Sequence, residues 1–475
     1  MVKMKTGVAS VLSALIVCQG TSLAAPIGVF DESRVRDVMS AYEVDGLAVA
    51  VVIGQETRLV GAWGVDQKGE DFSASSGCGI YSATKFLSSL TYADLVAAGQ
   101  LDIDRPLSAF LVHAPPAWSD IPFWRLLNHT SGIPMVTNQT VFGELESDPA
   151  AGNSEIYDYV RDLPLDYEPG AYSRYRQSGY AVAEMIASKE TGLTWTELVD
   201  ERVLAPAGLE ATFHAATSEG ARNAELLTSA GGYETTAEDM ETLFKALNAD
   251  VAIDRENWAG LLFNEQYIHD GYGLGTVLVD VAGERTLGHS GGGRANIRYA
   301  PDAEVGVFVC TDDRSNNNVH NDLANMLMLE TLTGESLETC PESDPHAYAL
   351  YFYTEPGDHI GWHFDTSHYT GKRYTLLLGV VDESSSKLEF ELFKNDAARE
   401  TVSGARNLRP GAMCFFNGDE VWHRITPLRE NERRISLTFE YVTDAHMGRW
   451  QRFVSNMKDS IAYFGFKQVF KRNPR

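Results

Sequence analysis

The sequence predicts a multidomain chain whose last part, residues 341–475, is an all-β domain of the jelly-roll type. A length of 475 residues exceeds what one hydrophobic core usually organises, so two or three domains are expected. Short apolar runs divided by turn residues set the last part apart. The net charge of −27 is also distributed unevenly on the two sides of residue 341. Residues 341–475 carry 18 basic and 18 acidic residues, so all of the net negative charge lies in residues 1–340.

This acidity bears on the class of partner. A strongly negative surface repels nucleic acid and anionic membranes, so neither is expected to bind residues 1–340. No apolar run is long enough to span a bilayer. The expected partners are therefore small-molecule or peptide substrates.

The first 25 residues resemble a secretory signal peptide. Lys3 and Lys5 precede an apolar run at 8–17, and small residues at 22–24 suit a cleavage site. We expect an exported protein, either secreted or held in a lumen outside the cytoplasm. Four cysteines then remain in the mature chain, too few for a disulfide framework, although export permits one bridge.

A serine and a lysine three residues apart stand near the start of a predicted helix. Ser82 and Lys85 would lie on one face of that helix, within reach of each other. A lysine shielded from water loses its proton more easily and can then accept one from a serine. The helix itself, within residues 79–104, is predicted by apolar residues at roughly helical spacing: Phe86, Leu87, Leu90, Leu95 and Val96.

A series of motifs follows this pair in order. They are "GQLDIDRPLSAFL", "FWRLLNHTSGIP", "PGAYSRYRQSGYAVAEMI", "SAGGYETTAEDMETLFKAL", "YGLG" and "LGHSGGG". The series resembles the serine β-lactamase and penicillin-binding superfamily, in its class C-like esterase and D-aminopeptidase branch, over residues 30–335. The resemblance implies an α/β domain, an antiparallel sheet with helices, for residues 26–337.

The resemblance also implies roles for single residues. Ser82 would be the acylated nucleophile and Lys85 its general base. Tyr175 would relay a proton to the leaving group. The backbone N–H groups of Ser82 and Gly292 would form the oxyanion hole.

Two positions depart from the family pattern. Gln177 stands where the family prefers asparagine, and His289 stands where β-lactamases carry lysine. We therefore expect esters or small amides to be preferred over β-lactams, and His289 to add a pH dependence near neutrality. His129 is expected to be structural.

Two alternatives stay open for this domain. "GHSGG" at 288–292 fits the nucleophile elbow of α/β-hydrolases, which needs a strand before the serine and a helix after it. The residues that follow alternate like a β-hairpin instead. The domain could also be a non-catalytic penicillin-recognition module, which the intact Ser82 and Lys85 disfavour.

Residues 341–475 contain seven strand-like runs, an eighth strand is expected within 397–408, and a closing helix is expected over 445–464. His363 and Asp365 are two apart in one run, and His423 lies in another. Two imidazoles and one carboxylate can occupy one face of a metal and leave the other face open.

Arg434 and Ser436 follow His423 at a spacing that suits the far carboxylate of a dicarboxylic co-substrate. The whole pattern resembles the 2-oxoglutarate/Fe(II) dioxygenases, as in prolyl 4-hydroxylases and enzymes that hydroxylate free amino acids. The resemblance implies a double-stranded β-helix that uses Fe(II), 2-oxoglutarate and O2. Ile360 and Arg434 depart from the prolyl hydroxylase pattern.

Two further histidines, His359 and His368, are expected to be solvent residues. A zinc or cupin-like site with the same three ligands remains an alternative, as does a gene prediction that has joined two neighbouring genes.

Overall fold

The computed structural model describes residues 14–17, 32–66, 68–135, 144–145, 151–214, 226–251, 253–311, 318–335, 338–339, 348–365, 369–395, 399–410, 412–444 and 446. The chain divides into two compact units. The larger comprises Val29–Val279 and Glu284–Leu332, and the smaller comprises Met1–Gly28, Asp280–Gly283 and Thr333–Arg475. Among the described residues, no helix is long and apolar enough to cross a membrane.

The larger unit is built on an antiparallel sheet. Its strands lie in the order Glu284–Gly291, Ala295–Ala300, Val305–Thr311, Gly46–Ile53 and Glu56–Gly64, and Val277–Val281 lies beside the first of them. A second, three-stranded sheet joins Cys78–Gly79, Tyr233–Thr235 and Phe213–His214.

Helices complete the larger unit, so the predicted α/β domain with an antiparallel sheet is confirmed. The α-helices are Glu32–Tyr42, Thr84–Ala97, Trp124–Leu127, Asn153–Arg161, Gln177–Thr191, Trp195–Val199, Ala205–Ala207, Thr228–Gly231, Ala237–Asn248, Arg255–Leu262 and Val319–Thr333. Single 3-10 turns occupy Tyr81–Ala83, Leu107–Ala109, Pro116–Trp118 and Glu265–Tyr267, and a π-helical turn occupies Asp200–Leu204.

The centre of this sheet follows from two apolar runs. Gly46–Ile53 and Val305–Thr311 are buried almost throughout, as expected for strands covered on both faces. The helix Ala237–Asn248 approaches the second run at Gly306, where an added Cβ would lie 2.1 Å from the Phe244 ring. Only glycine leaves room for that approach.

One disulfide joins two parts of the larger unit. Cys78, four residues before Ser82, is bonded to Cys310 on the strand Val305–Thr311, and both residues are buried. This is the kind of single bridge that export permits. Cys414, in the smaller unit, is free and buried.

The smaller unit is all-β, as predicted. Its eight strands are, in chain order, Tyr348–Tyr353, Ile360–His363, Arg373–Glu383, Leu388–Leu392, Val402–Arg406, Met413–Asn417, Trp422–Ile425 and Arg433–Val442. The first, eighth, third and sixth pair in that order in one sheet, and the second, seventh, fourth and fifth pair in the other. The strand expected within 397–408 is Val402–Arg406.

Two short strands add to the first of these sheets. Glu338–Thr339 pairs with the end of the eighth strand, and Ala14–Val17, inside the predicted signal peptide, pairs in parallel with the sixth. The rest of the predicted signal peptide lies outside the described residues, as does the predicted closing helix apart from residue 446.

The eighth strand, Arg433–Val442, buries polar residues. Its side chains alternate between buried and partly exposed positions, and Arg434, Ser436, Thr438 and Glu440 are on the buried face. A buried row of this kind requires hydrogen-bonding or charged partners inside the unit. The strand therefore supplies polar groups for a site.

Candidate functional site

Ser82 lies in a 3-10 turn rather than in the α-helix that the sequence predicted. The α-helix begins at Thr84, and Tyr81 just before Ser82 has a positive φ of 44°. The strand Glu284–Gly291 passes directly beside this turn. A Cβ added to Gly291 would lie 1.8 Å from the Ile80 carbonyl oxygen, so glycine is required for the contact.

The same strand decides against the nucleophile elbow. Ser290 lies within Glu284–Gly291, which leads into the antiparallel strand Ala295–Ala300. An elbow serine sits on a turn between a strand and a helix. The hairpin predicted after "GHSGG" is present, and the elbow geometry is not.

Lys85 is completely buried in the first turn of the helix Thr84–Ala97. Its amine donates hydrogen bonds to Gln177 Oε1 at 3.0 Å and to the Ala230 carbonyl oxygen at 2.6 Å. Burial holds the pKa of Lys85 well below its ordinary value, because the charged form is poorly solvated there. Lys85 is thus suited to act as a neutral base.

Tyr175 lies over the same amine. The Lys85 nitrogen is 4.9 Å from the centre of the Tyr175 ring. Burial raises the pKa of Tyr175 to about 12, and the nearby Ser82 and Gln177 oppose that rise. The phenol oxygen is buried and makes no hydrogen bond of normal geometry within the described part of the chain. It therefore keeps its proton at neutral pH, close to the side chains of Ser82 and Gln177.

His289 is a neutral ring, not a weak cation. Its Nδ1 lies 2.6 Å from the Ser290 carbonyl oxygen, which can only accept, so Nδ1 carries the proton. Its Nε2 lies 3.0 Å from the Tyr272 hydroxyl, which must then donate. Burial lowers the pKa of His289 to about 3, and the protonated form of the nearby Lys85 would add to this shift. The expectation that His289 titrates near neutrality is therefore wrong.

Three further aromatic residues, which the sequence did not indicate as catalytic, lie next to Lys85, Tyr175 and His289. They are His129, Tyr180 and Tyr272. The His129 ring contacts those of Tyr175, Tyr180 and Tyr272, with centres 4.4, 5.4 and 4.8 Å away. His129 Nδ1 accepts the Arg176 backbone N–H at 3.2 Å. "YGLG" contained Tyr272 as a motif, but no spacing rule pointed to its contact with His289.

A family match accompanies this arrangement of the Ser82 turn, the buried Lys85 and Tyr175. Residues 32–331 match the Beta-lactamase family. The chain belongs to this family. A curated relative, Penicillin-binding protein 4 of Amycolatopsis lactamdurans, is 25% identical over 355 residues, which cover 63% of this chain and 89% of the relative.

Solved structures share the fold of this Beta-lactamase family domain. A penicillin binding protein from Bacillus halodurans has a TM-score of 0.52 at 21% identity, covering 62% of this chain and 98% of that one. A D-amino acid amidase from Ochrobactrum anthropi SV3 has a TM-score of 0.52 at 19% identity, covering 64% of this chain and 98% of that one.

A second cluster lies in the smaller unit, where strand register brings distant residues together. The strand Ile360–His363 pairs with Trp422–Ile425 so that His363 and His423 are direct partners. Asp365 lies beyond the end of the first strand, held by its backbone N–H to the Gly418 carbonyl at 2.8 Å. One ligand atom from each of these three side chains lies within 4.8 Å of the others.

The donor atoms fit a divalent transition metal. His363 Nδ1 is 2.8 Å from the Gly361 carbonyl and His423 Nδ1 is 2.9 Å from the Val421 carbonyl, so Nδ1 donates in both rings and the neutral form of each ring offers Nε2 as the ligand atom. The two Nε2 atoms lie 3.3 and 3.7 Å from Asp365 Oδ1. Two imidazoles and a carboxylate suit Fe(II) and also zinc.

Charge inside the cluster favours an ionised carboxylate. Burial alone would raise the pKa of Asp365, but His363, His423, Arg373 and Thr375 together hold it well below its ordinary value. Burial lowers the pKa of His423. For His363 the neighbouring Asp365 outweighs burial and raises the pKa.

Arg434 is a buried cation that forms no close ion pair within the described part of the chain, although Asp382 and Tyr353 act on it electrostatically. Its guanidinium lies 3.3 Å from both Ser436 Oγ and Ser386 Oγ, while Nη2 has no hydrogen-bond partner. No carboxylate of the described residues forms an ion pair with it. Burial lowers the pKa of Arg434. Such a group offers free donors to an anion.

The remaining predicted residues divide as follows. His359 is exposed, with Nδ1 2.7 Å from the Gly357 carbonyl, and lies outside the three-residue cluster. His368 is outside the described residues. Ser386 is fully buried in a turn whose polar sequence looks like any surface turn, so its contact with Arg434 was not predicted.

Proposed function

We propose that the larger unit hydrolyses esters or small amides through an acyl-enzyme on Ser82. The observation that carries the proposal is the buried Lys85 amine, whose pKa lies well below its ordinary value and which follows Ser82 by three residues. A neutral amine can accept the serine proton, whereas a charged one cannot.

The proposed reaction assigns a step to each of the residues named above. Lys85 takes the hydroxyl proton as Ser82 Oγ bonds to the substrate carbonyl carbon. The N–H groups of Ser82 and Gly292 stabilise the negative oxygen that forms. The bond to the leaving group then breaks, and Tyr175 relays the proton held by Lys85 to that group, which returns Lys85 to its neutral form. Water hydrolyses the acyl-enzyme, Lys85 takes the water's proton, and Ser82 leaves with a proton.

The neutral His289 supports the substrate class. A β-lactam carries a carboxylate that needs a fixed cation, and a buried ring with a pKa of about 3 does not supply one. Amides stay in the proposal because one solved protein of the same fold is a D-amino acid amidase. Cephalosporin hydrolysis faster than that of every ester tested would contradict this specificity.

A fluorophosphonate probe tests the nucleophile. The full chain should be labelled, Ser82→Ala should not, and Ser290→Ala, which removes the serine of the competing motif, should label like the parent. Lys85→Ala should lose nearly as much hydrolysis of a p-nitrophenyl ester as Ser82→Ala, since the two act as a unit. If Ser82→Ala is labelled as strongly as the parent, the assignment of Ser82 as nucleophile is wrong. A parent chain that is neither labelled nor active would favour a non-catalytic binding module.

We propose further that the smaller unit is a jelly-roll Fe(II)/2-oxoglutarate dioxygenase that hydroxylates an amino-acid or peptidyl substrate. The carrying observation is the buried, unpaired Arg434 in the same unit as the cluster of His363, Asp365 and His423. The pairing order of the eight strands supports the jelly-roll.

The residues have distinct roles in this proposal. His363, Asp365 and His423 would hold ferrous iron, and Arg434 with Ser436 would bind the far carboxylate of 2-oxoglutarate. Bound iron, 2-oxoglutarate and O2 supply the oxidation of a C–H bond. The chain would orient the iron and the 2-oxoglutarate, and it would shield from water the 2-oxoglutarate carboxylate that binds Arg434.

Iron content and succinate formation test this second activity. Asp365→Ala should lose iron and 2-oxoglutarate turnover, Arg434→Ala should keep iron but bind 2-oxoglutarate far more weakly, and His359→Ala should match the parent. Normal iron in Asp365→Ala would refute the iron site. Tight zinc binding with no succinate would instead support the zinc alternative.

We infer from the predicted signal peptide that the protein is exported. Mass spectrometry of the protein isolated from whole cells and medium should find its N-terminus near residue 25, and a chain with an intact Met1 that is retained in the cytoplasm would contradict export.

A further inference from the structure

The two oxygens of Asp365 have different surroundings. Oδ1 faces the Nε2 atoms of His363 and His423, at 3.3 and 3.7 Å. Oδ2 is turned away and accepts a hydrogen bond from Thr375 Oγ1 at 2.6 Å. One oxygen is therefore directed at the cluster and the other is fixed by the protein.

The strand Arg373–Glu383 holds Thr375 firmly. Thr375 is 3% exposed and pairs with Phe416 on one side and Glu440 on the other. Gly418 closes the space around the carboxylate, because a Cβ there would lie 2.6 Å from Asp365 Cβ and 3.1 Å from Thr375 Oγ1. The hydroxyl and carboxylate thus meet in a closely fitted space.

A charged pair directs the threonine proton. Thr375 Oγ1 also lies 2.9 Å from Glu440 Oε2, yet a hydroxyl has one proton to donate. Arg373 Nε donates to the same Glu440 oxygen at 2.8 Å. Because Arg373 already satisfies that oxygen, the threonine proton can go to Asp365, where the contact is shorter.

We propose that Thr375 is a positioning residue of the metal centre, which holds Asp365 Oδ2 so that Oδ1 faces the cation. The inference rests on the proposed metal centre. Arg373 and Glu440 fix the threonine from behind. Removing a partner of a metal ligand commonly weakens metal binding by about 10- to 100-fold, and we expect a loss of this size without the hydroxyl.

The test is Co2+ binding to the full chain, followed by visible absorption and needing no turnover. Thr375→Val should weaken Co2+ binding about 10- to 100-fold. Thr375→Ser keeps the hydroxyl and should bind like the parent. Thr438→Val is the matched control, since Thr438 is also buried on this face but donates to the Ala349 carbonyl. Thr375→Ala, which adds no methyl group beside the carboxylates, repeats the test if the valine variant fails to fold.

The outcomes separate this inference from the metal centre itself. Parent-like Co2+ affinity in a folded Thr375→Val or Thr375→Ala overturns the role of Thr375, as does an equal loss in Thr375→Ser. If the parent chain binds no Co2+, or if Asp365→Ala binds it as well as the parent does, the metal centre itself is wrong.

Discussion

At the scale of single residues, His289 shows how burial changes the meaning of a sequence. Its place in the motif series suggested a weak cation facing substrate. The ring is instead enclosed between the Ser290 carbonyl and the Tyr272 hydroxyl, and burial lowers its pKa to about 3. No spacing rule reveals such a shift, because the residues that enclose His289 come from distant segments.

The first prediction follows from that shift. His289→Gln should not change the shape of the pH profile of kcat/KM, measured with an uncharged p-nitrophenyl ester between about pH 5 and 8 and compared with the parent. His289 is already neutral throughout that range, so its removal changes no protonation there. An inflection near neutrality that is present in the parent and absent in the variant would contradict the burial of a neutral ring.

The second prediction concerns Gln177, which accepts a hydrogen bond from Lys85. Gln177→Glu places a carboxylate beside the amine, favours its charged form and raises its pKa. Lysine acts as a base only when it is neutral. The pH below which activity is lost should therefore be higher for this variant than for the parent. We expect kcat/KM at pH 7 to fall about tenfold or more.

The neutral, similarly sized Gln177→Met is the control. It should leave the acid limb of the profile where it is or move it to lower pH. An unmoved limb in Gln177→Glu would show that the activity does not depend on Lys85 losing its proton.

At the scale of elements, the bond between Cys78 and Cys310 ties the segment that leads to Ser82 onto the main sheet. A cross-link over 232 residues restricts the unfolded chain strongly. The double variant Cys78→Ala/Cys310→Ala should therefore be less stable by about 2–4 kcal/mol in denaturant unfolding under non-reducing conditions.

Reducing agent and a third cysteine provide the controls. The parent in a strong reductant with denaturant should approach the double variant, and Cys414→Ala, which removes a free thiol, should keep the disulfide's contribution. Equal stability of the parent and the double variant would show that the bridge does not stabilise the fold.

The elements also show where sequence reasoning stops. Apolar runs predicted seven strands of the smaller unit, because each run carries its own pattern, whereas Val402–Arg406 was expected only as the further strand that completes a set of eight. Pairing is not local: His363 and His423 are partners through register, and Asp365 is placed by Gly418 beyond the strand end. Thr375 and Ser386 could not be predicted as site residues, since their importance comes only from the strands and turns that meet them.

At the scale of the whole molecule, the two sites share no residue, and their proposed chemistries are unrelated. Ser82→Ala should keep parent-like iron content and succinate formation, and Asp365→Ala should keep parent-like fluorophosphonate labelling. Loss of one activity on removal of the other site, in a folded variant, would contradict this independence. The full chain has a mass of 52.3 kDa, and detection in the source of a single polypeptide that contains both units, at this mass less the cleaved signal peptide, would exclude an artificial joining of two genes.

The family resemblance predicted the larger unit well because motif order is a property of the chain itself. The match over residues 32–331 and the antiparallel sheet agree with it. The start of the helix at Thr84 and the neutral state of His289 were not accessible, since both depend on packing around the Ser82 turn.

The strand pairing of the smaller unit has a consequence for its synthesis on the ribosome. The last strand, Arg433–Val442, lies between the first and the third, so the first strand cannot join its sheet until nearly the whole chain has left the exit tunnel. Until then the backbone N–H and C=O groups of Tyr348–Tyr353 have no partner strand, and unpaired strands of this kind are prone to aggregation. The risk of aggregation therefore lasts for as long as the ribosome is still making the strand that pairs with Tyr348–Tyr353.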